Sequence, residues 1–281
     1  MEKTCFIYAL TPIHAGTGKG LGYIDMPIAR EKITGWPYIP GSSIKGVIRS
    51  HFDGDPDSID EFNSAFGTSA GDDGIDTGTA GGLVFTDAGI LCLPVRSFYG
   101  TFAWVTLPFC LNRLMKNAGH IPNPDNDHAL ITTTSALNRD GGKIYLEELD
   151  IEAEEFEAVN VIAKAIANNV FAGNDDWHKI FMSRFAIVDD DIFTFLCDTG
   201  TEVNARIRID DETGTVAQGA LWYEEDLPAE TILAGAVWCA EKLRPIMEKY
   251  CGESLTLQLG GKASTGKGQA RVIFGGLNNA D

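Results

Sequence analysis

Apolar positions fall along the chain in short runs with two different periods. Residues 4–10 (TCFIYAL) are almost continuously apolar and read as a strand. A glycine-punctuated loop follows. From Pro40-Gly41-Ser42-Ser43 onward, Ile44, Val47, Ile48 and Phe52 recur at helical spacing, and Ser42 or Ser43 is placed to cap that helix. Residues 53–80 are rich in Asp, Gly, Ser and Thr around one amphipathic piece at 59–66, which predicts a loop with a helical turn. GGLVFTDAGILCLP at 81–94 reads as a strand pair turning near Asp87-Ala88-Gly89. Residues 102–107 form a further strand, Pro108 opens a helix running to 117, and 119–129, with two prolines, is a loop.

Residues 143–146 read as a short strand and 153–171 as a helix, on the spacing of Phe156, Val159, Ile162, Ala163 and Ile166. An acidic turn and a short helical stretch at 192–197 follow. Residues 203–209 and 215–223 alternate on either side of the polar turn 210–214, which predicts a hairpin. Val203, Ala205, Ile207 and Ile209 share one face; Asn204, Arg206 and Arg208 share the other. Such a face suits a nucleic-acid strand and, equally, plain solvent. Residues 231–238 fit a strand or a helix, and 241–250 fit a helix that Pro245 interrupts. Residues 255–259 and 269–274 close the chain as a strand pair around a glycine-rich turn. The mixed order predicts an α+β fold.

Composition narrows the function. A chain of 281 residues can bury one large core, with or without a substantial insertion. No apolar stretch is long enough to cross a bilayer, and no signal-peptide pattern follows Glu2 and Lys3, so the expected location is the cytoplasm. Six scattered cysteines without a C-x-x-C pair point to reduced, buried thiols, not to a zinc site or a disulfide framework. Asp72, Asp73 and Asp76 lack the spacing and terminal Glu of a calcium loop. A net charge of −18 is the wrong sign for a free-standing binder of phosphate backbones. Yet residues 1–51 hold six Lys or Arg against three Asp or Glu, a net of +3, so any basic surface is local.

Within that segment Lys45 and Arg49 lie four apart on one helix face, behind the free N–H groups of the helix start, as a phosphate site requires. Residues 261–267 fit G-x-x-x-x-G-K, but Gly268 stands where a nucleotide-binding loop needs Ser or Thr, and a strand follows where a helix should begin. A nucleotide triphosphatase is excluded. A loop whose N–H groups and lysines meet phosphates, or a simple hairpin turn, remains. Cleaving RNA requires taking a proton from a 2′-hydroxyl, stabilising the phosphorane and protonating the leaving 5′-oxygen. Asp25, in an extended segment between Gly22 and Pro27, is placed for such work; His14 is either a supporting acid/base group or a structural histidine.

The ordered set Pro12-Ile13-His14-Ala15-Gly16, Ile24-Asp25-Met26-Pro27-Ile28 with Arg30-Glu31, and Ile39-Pro40-Gly41-Ser42-Ser43-Ile44-Lys45-Gly46 ending in Arg49-Ser50, together with Leu259-Gly260-Gly261 and Thr265-Gly266-Lys267-Gly268, resembles the RAMP proteins of CRISPR systems. Within them it is similar to the repeated backbone subunit of the type III-B (Cmr) RNA-guided effector. The resemblance implies one domain: a ferredoxin-like, RRM-related core from residues 1–52, 81–118 and 201–281, insertions at about 53–80 and 119–200, and a β-hairpin extension. It implies an endoribonuclease that cleaves target RNA paired to a CRISPR RNA. Asp25 matches the aspartate required for cleavage, with His14 in support, and Tyr223, Glu224 and Glu225 lie where the family places assisting residues. Guide contacts would come from Ser42, Ser43, Lys45, Arg49, Gly260, Gly261, Lys262, Gly266, Lys267 and Gly268. Also implied are a divalent metal ion, magnesium or manganese, with no ligand set visible, and partners: CRISPR RNA, target RNA, other RAMP subunits, a large polymerase-like subunit, a small helical subunit and further copies in a filament-like stack. Two other readings stand beside it: a non-cleaving architectural guide-binding subunit, and a RAMP-class processing endonuclease in which His14 outweighs Asp25.

Overall fold

A computed structural model describes residues 1–18, 20, 22–53, 59–68, 78–114, 121–139 and 141–276. The aspartates at 72, 73 and 76, and residues 115–117 of the helix expected from Pro108, lie outside the described residues. The elements in order are β1 (Glu2–Ala9), β2 (Tyr38–Ile39), α1 (Gly41–Phe52), α2 (Ile59–Phe66), β3 (Val84–Phe85), β4 (Ala88–Arg96), β5 (Phe102–Thr106) and α3 (Pro108–Leu114). Then come β6 (His128–Ile131), β7 (Lys143–Leu146), β8 (Leu149–Glu155), α4 (Glu157–Val170), α5 (Asp175–Arg184), β9 (Phe185–Val188) and α6 (Asp190–Thr199). The chain ends with β10 (Glu202–Ile209), β11 (Val216–Asp226), β12 (Ile232–Trp238), α7 (Arg244–Cys251), β13 (Leu255–Gln258) and β14 (Gln269–Gly275).

One large mixed sheet runs β13-β14-β1-β12-β4-β5-β9-β6-β8-β7, with β2 on β4 and β3 on β12; β10 and β11 pair separately. The apolar run of β1 is central because it is covered twice. Cys5, Ile7 and Ala9 pack toward α1, α2 and α7, while Phe6 and Tyr8 pack toward α4 and α5. A third core fills the other half of the sheet, which curls until Ser97, after β4, bridges Leu146 of β7. Among the described residues no helix is long and apolar enough to cross a membrane. All six cysteines are free and buried, and burial pushes the Cys5, Cys92, Cys110, Cys197 and Cys251 thiols up, which keeps them inert.

Several expectations need correction. Residues 81–94 do not fold back on themselves. β3 and β4 both line the same neighbour, β12, with Thr86 bonded to Ala236 between them, so the segment is one interrupted strand in place of a hairpin. Neither serine caps α1; the Gly41 N–H donates to Asp87 Oδ1 at 2.8 Å and both serines lie exposed inside the first turn. Residues 153–155 belong to β8, whose alternation pairs it with β6 and β7, so α4 begins only at Glu157 and Phe156 is half exposed before it. Strand β9 is inserted between two helices where one short helix was read. Residues 232–238 are strand, and Pro245 is accommodated in the first turn of α7, where its missing N–H has no partner to lose.

Candidate nucleic-acid interface

Residues 14–18 and 22–30 form the two arms of an irregular hairpin laid against the carboxyl end of β11. Ala29 N–H donates to Ala15 O at 2.8 Å, Thr17 N–H to Pro27 O at 3.2 Å and Gly20 N–H to Asp25 O at 2.8 Å. Its second arm joins β11: Met26 N–H donates to Tyr223 O, and Glu225 N–H to Met26 O, each at 3.0 Å. Its first arm joins the glycine-rich loop, where Gly261 N–H donates to His14 O at 2.9 Å. Glycine is needed at 260: with φ at +75°, a Cβ there would stand 2.3 Å from the His14 carbonyl oxygen. The loop then makes a short 3-10 turn (Ala263–Thr265) and enters β14, so the nucleotide-triphosphatase pattern fails in three dimensions as in sequence.

Asp25 is exposed. One carboxylate oxygen, Oδ2, accepts the Tyr223 N–H at 2.8 Å, which fixes the exposed group to the β11 backbone. The next residue, Met26, lines a cleft of about 360 Å³ together with His14, Gly16, Ser43, Gly261 and Lys262. The start of α1, the 14–30 hairpin and the glycine-rich loop therefore share one concavity. His14 is buried. Its Nδ1 lies 2.7 Å from Glu225 O, and a carbonyl only accepts, so Nδ1 carries the proton and Nε2 is left against Gly16, where a Cβ would stand 2.6 Å away.

Alternate residues of β11 point opposite ways, and both adjacent glutamates are buried. Glu224 accepts from Lys262 Nζ at 2.7 Å and from the Trp222 indole at 2.8 Å, with Arg206 at 3.3 Å. Burial alone would raise its pKa, but these hydrogen bonds and the charges of Lys262 and Arg206 win and bring it down to about 2. Glu225 holds Arg30 at 2.6 Å, the Thr201 hydroxyl at 2.9 Å and the Ile28 N–H at 3.1 Å. Both are thus ionic clamps between segments and not acids turned toward a substrate. The sequence left open which of the two faces inward; both do.

Sequence reasoning missed Asp226 and Arg30. Asp226 is fully buried, pairs with Lys267 and sets Oδ1 3.5 Å from His14 Nδ1, without a hydrogen-bond partner for that oxygen. The available signal was spacing: Trp222, Glu224 and Asp226 occupy one strand face opposite two lysines of the glycine-rich loop. Lys267 is accordingly buried, while Lys262 stays partly exposed. Lys45 and Arg49 do share a face, but that face packs on Phe62 and Leu83. Lys45 Nζ donates to Leu83 O at 2.9 Å, and burial, then the Arg49 charge, hold its pKa below the ordinary lysine value. Arg49 lies over the Phe62 ring at 5.7 Å. Tyr223, on the hairpin, is half exposed.

No three His, Cys, Asp or Glu side chains converge to hold a metal ion among the described residues. Glu224, Glu225 and Asp226 are already paired with lysine or arginine, and Asp25 stands without a second acid converging on it, so these donors do not fit a resident ion.

Residues 6–271 match the profile of the RAMP superfamily. The chain is 36% identical to the CRISPR system Cmr endoribonuclease Cmr4 of Pyrococcus furiosus, over 97% of this chain and 95% of that protein. Among solved structures it resembles the oligomeric Cmr4 of Pyrococcus furiosus, with a TM-score of 0.75 at 27% identity and 99% of each chain covered. It has the same fold as a chain in the type III-B Cmr-beta complex bound to cognate target RNA, with a TM-score of 0.75 at 23% identity, covering 98% of this chain and 97% of that one. Matching the superfamily profile across nearly its whole length, and a Cmr4 of known kind at this identity, the chain belongs to the RAMP superfamily.

Proposed function

We propose that the chain is the backbone subunit of a type III-B CRISPR effector, which binds the CRISPR RNA and cleaves complementary target RNA. The observation that carries this reading is Asp25: an exposed carboxylate, fixed by one oxygen to the β11 backbone, beside a cleft built from a helix start and a glycine-rich loop. The relative at 36% identity carries the name endoribonuclease. The guide backbone lies in the cleft, against Ser42, Ser43, Lys262 and the N–H group of Gly260, while Gly261, Gly266 and Gly268, whose N–H groups donate to His14, Ala263 and Pro12 carbonyls, shape the loop that it meets. Lys45, Arg49 and Lys267 have their heads occupied by protein groups and support the loops around the cleft. Asp25 accepts the 2′-hydroxyl proton of the target strand as the 2′-oxygen bonds to phosphorus and the bond to the 5′-oxygen breaks, solvent water protonates that leaving oxygen, Lys262 lends positive charge beside the phosphorane, and His14 and Tyr223 position the strand. Glu224 and Glu225 hold the segments that present them.

Divalent-ion dependence belongs to the same proposal only as an ion carried by RNA phosphates; no step above uses one, and magnesium titration of the assembled complex tests it. The ferredoxin-like description of a single domain with two insertions is supported by β14, β1, β12 and β4 lying side by side beneath α1 and α7. Cytoplasmic location, stacking of copies along one guide, and association with other RAMP subunits, a large polymerase-like subunit and a small helical subunit complete the reading. The test is Asp25→Ala in the reconstituted complex. Because the exposed side chain loses only the bond from the Tyr223 N–H, stability should fall by no more than about 1 kcal/mol, guide binding should persist, and target cutting should fall at least about a hundredfold. Cutting at the original rate would leave the architectural role; cuts in unprocessed repeat RNA that require His14 and not Asp25 would favour the processing endonuclease.

A further inference from the structure

Tyr23 is the most exposed large hydrophobic residue among the described residues, at 101% relative exposure. It stands at the tip of the 14–30 hairpin, and that tip is tied. Gly20 N–H closes it on Asp25 O, and Asp25, two residues on, is anchored to the Tyr223 N–H. The Tyr223 ring is itself 40% exposed. A fixed carboxylate thus lies two residues from one open aromatic ring and is bonded to the backbone that carries the other.

A ring open on all sides adds nothing to the core, so its value lies in what it meets. Next to a group that acts on RNA, the matching surface is the face of a base, which an aromatic side chain stacks on irrespective of sequence. Indifference to sequence is what a guided system needs from its protein, because base pairing does the reading. Displacement at phosphorus also needs the attacking and departing oxygens in line, and holding one base fixes the sugar on one side of the scissile phosphate. Resting on the cleavage reading above, we propose that Tyr23 stacks on the target-strand base adjoining the phosphodiester that Asp25 addresses, and is a positioning residue for the cut.

The test uses the assembled complex with guide, and targets carrying 2-aminopurine at single positions around one cut, with a 2′-deoxy sugar at that cut to stop the reaction. In the unaltered complex one position should be quenched. Tyr23→Ala should restore its fluorescence and slow cutting of an all-ribose target about tenfold at saturating target, with target affinity unchanged, whereas Tyr23→Phe should behave as the parent. An unchanged fluorescence profile in Tyr23→Ala overturns the proposal, and so does loss of the parental profile in Tyr23→Phe. Unslowed cutting by Asp25→Ala overturns the cleavage reading instead, and the fluorescence then decides the stacking alone.

Discussion

Glu224 lets the electrostatics of the site be tested without RNA. Its folded-state pKa of about 2 lies below the ordinary 4.5, because Lys262, Trp222 and Arg206 outweigh the penalty of burial. A carboxylate depressed in the folded state contributes stability at pH above its unfolded value and loses it as pH falls through the folded one; here the window runs from about 4.5 down to about 2. A difference of that size sets a ceiling of roughly 3 kcal/mol. The Lys262 and Arg206 side chains are 27% and 39% exposed, so solvent screens part of it and roughly 2 kcal/mol is the expected share. Glu224→Gln keeps the shape and an acceptor for the indole while removing the charge. In equilibrium denaturant unfolding it should be roughly 2 kcal/mol less stable than the parent at pH 7, and that gap should shrink by more than half at pH 3, where the parent's carboxylate has lost most of its linkage. No gap at pH 7, or the same gap at both values, would refute the argument that charge pairing governs this face of β11.

Asp87→Ala should cost about 1 kcal/mol and lower the melting temperature by a few degrees, since it removes the acceptor for the first N–H of α1; differential scanning calorimetry checks it. Two glycines of the same loop should separate cleanly in thermal unfolding. Gly260→Ala drives a Cβ into the His14 carbonyl and should lose more than about 2 kcal/mol, whereas Gly266→Ala, also at positive φ but facing open space, should lose about 1 kcal/mol.

What the sequence made legible follows physical range. The continuous apolar run of β1, the alternation of the terminal strand pair and the polar turn between β10 and β11 are local signals, and each element formed. Partner choice is not local. Nothing within residues 81–94 says that β3 and β4 share β12 as a neighbour, and Asp87 capping a helix 46 positions earlier is invisible to a scan for Ser at the helix start. The hairpin faces also inverted expectation: Val203, Ile207 and Ile209 are half exposed, and Arg206 turns in to Glu224, because the buried side of β11 is ionic. For the site, order along the chain brought His14, Asp25 and the glycine-rich loop together correctly, but it read lysines as free charges. Whether a lysine is free depends on which carboxylate folds against it.

That last point bears on how so acidic a chain holds RNA. Around the cleft the cations are committed internally: Lys262 and Arg206 to Glu224, Lys267 to Asp226, Arg30 to Glu225, Lys45 to a carbonyl. Neutralising phosphates with released counterions is what gives affinity to a free-standing binder, and one copy of this chain has little such charge to offer. What it offers is a shaped cleft with the exposed serines at the start of α1 and the partly exposed Lys262, each a weak and sequence-blind contact. In the proposed stack, weak contacts repeated on one strand would become strong, because every copy after the first would be held at high effective concentration by its neighbours. The internal ion pairs have a second effect: they tie the second arm of the 14–30 hairpin, β10, β11 and the glycine-rich loop to one another.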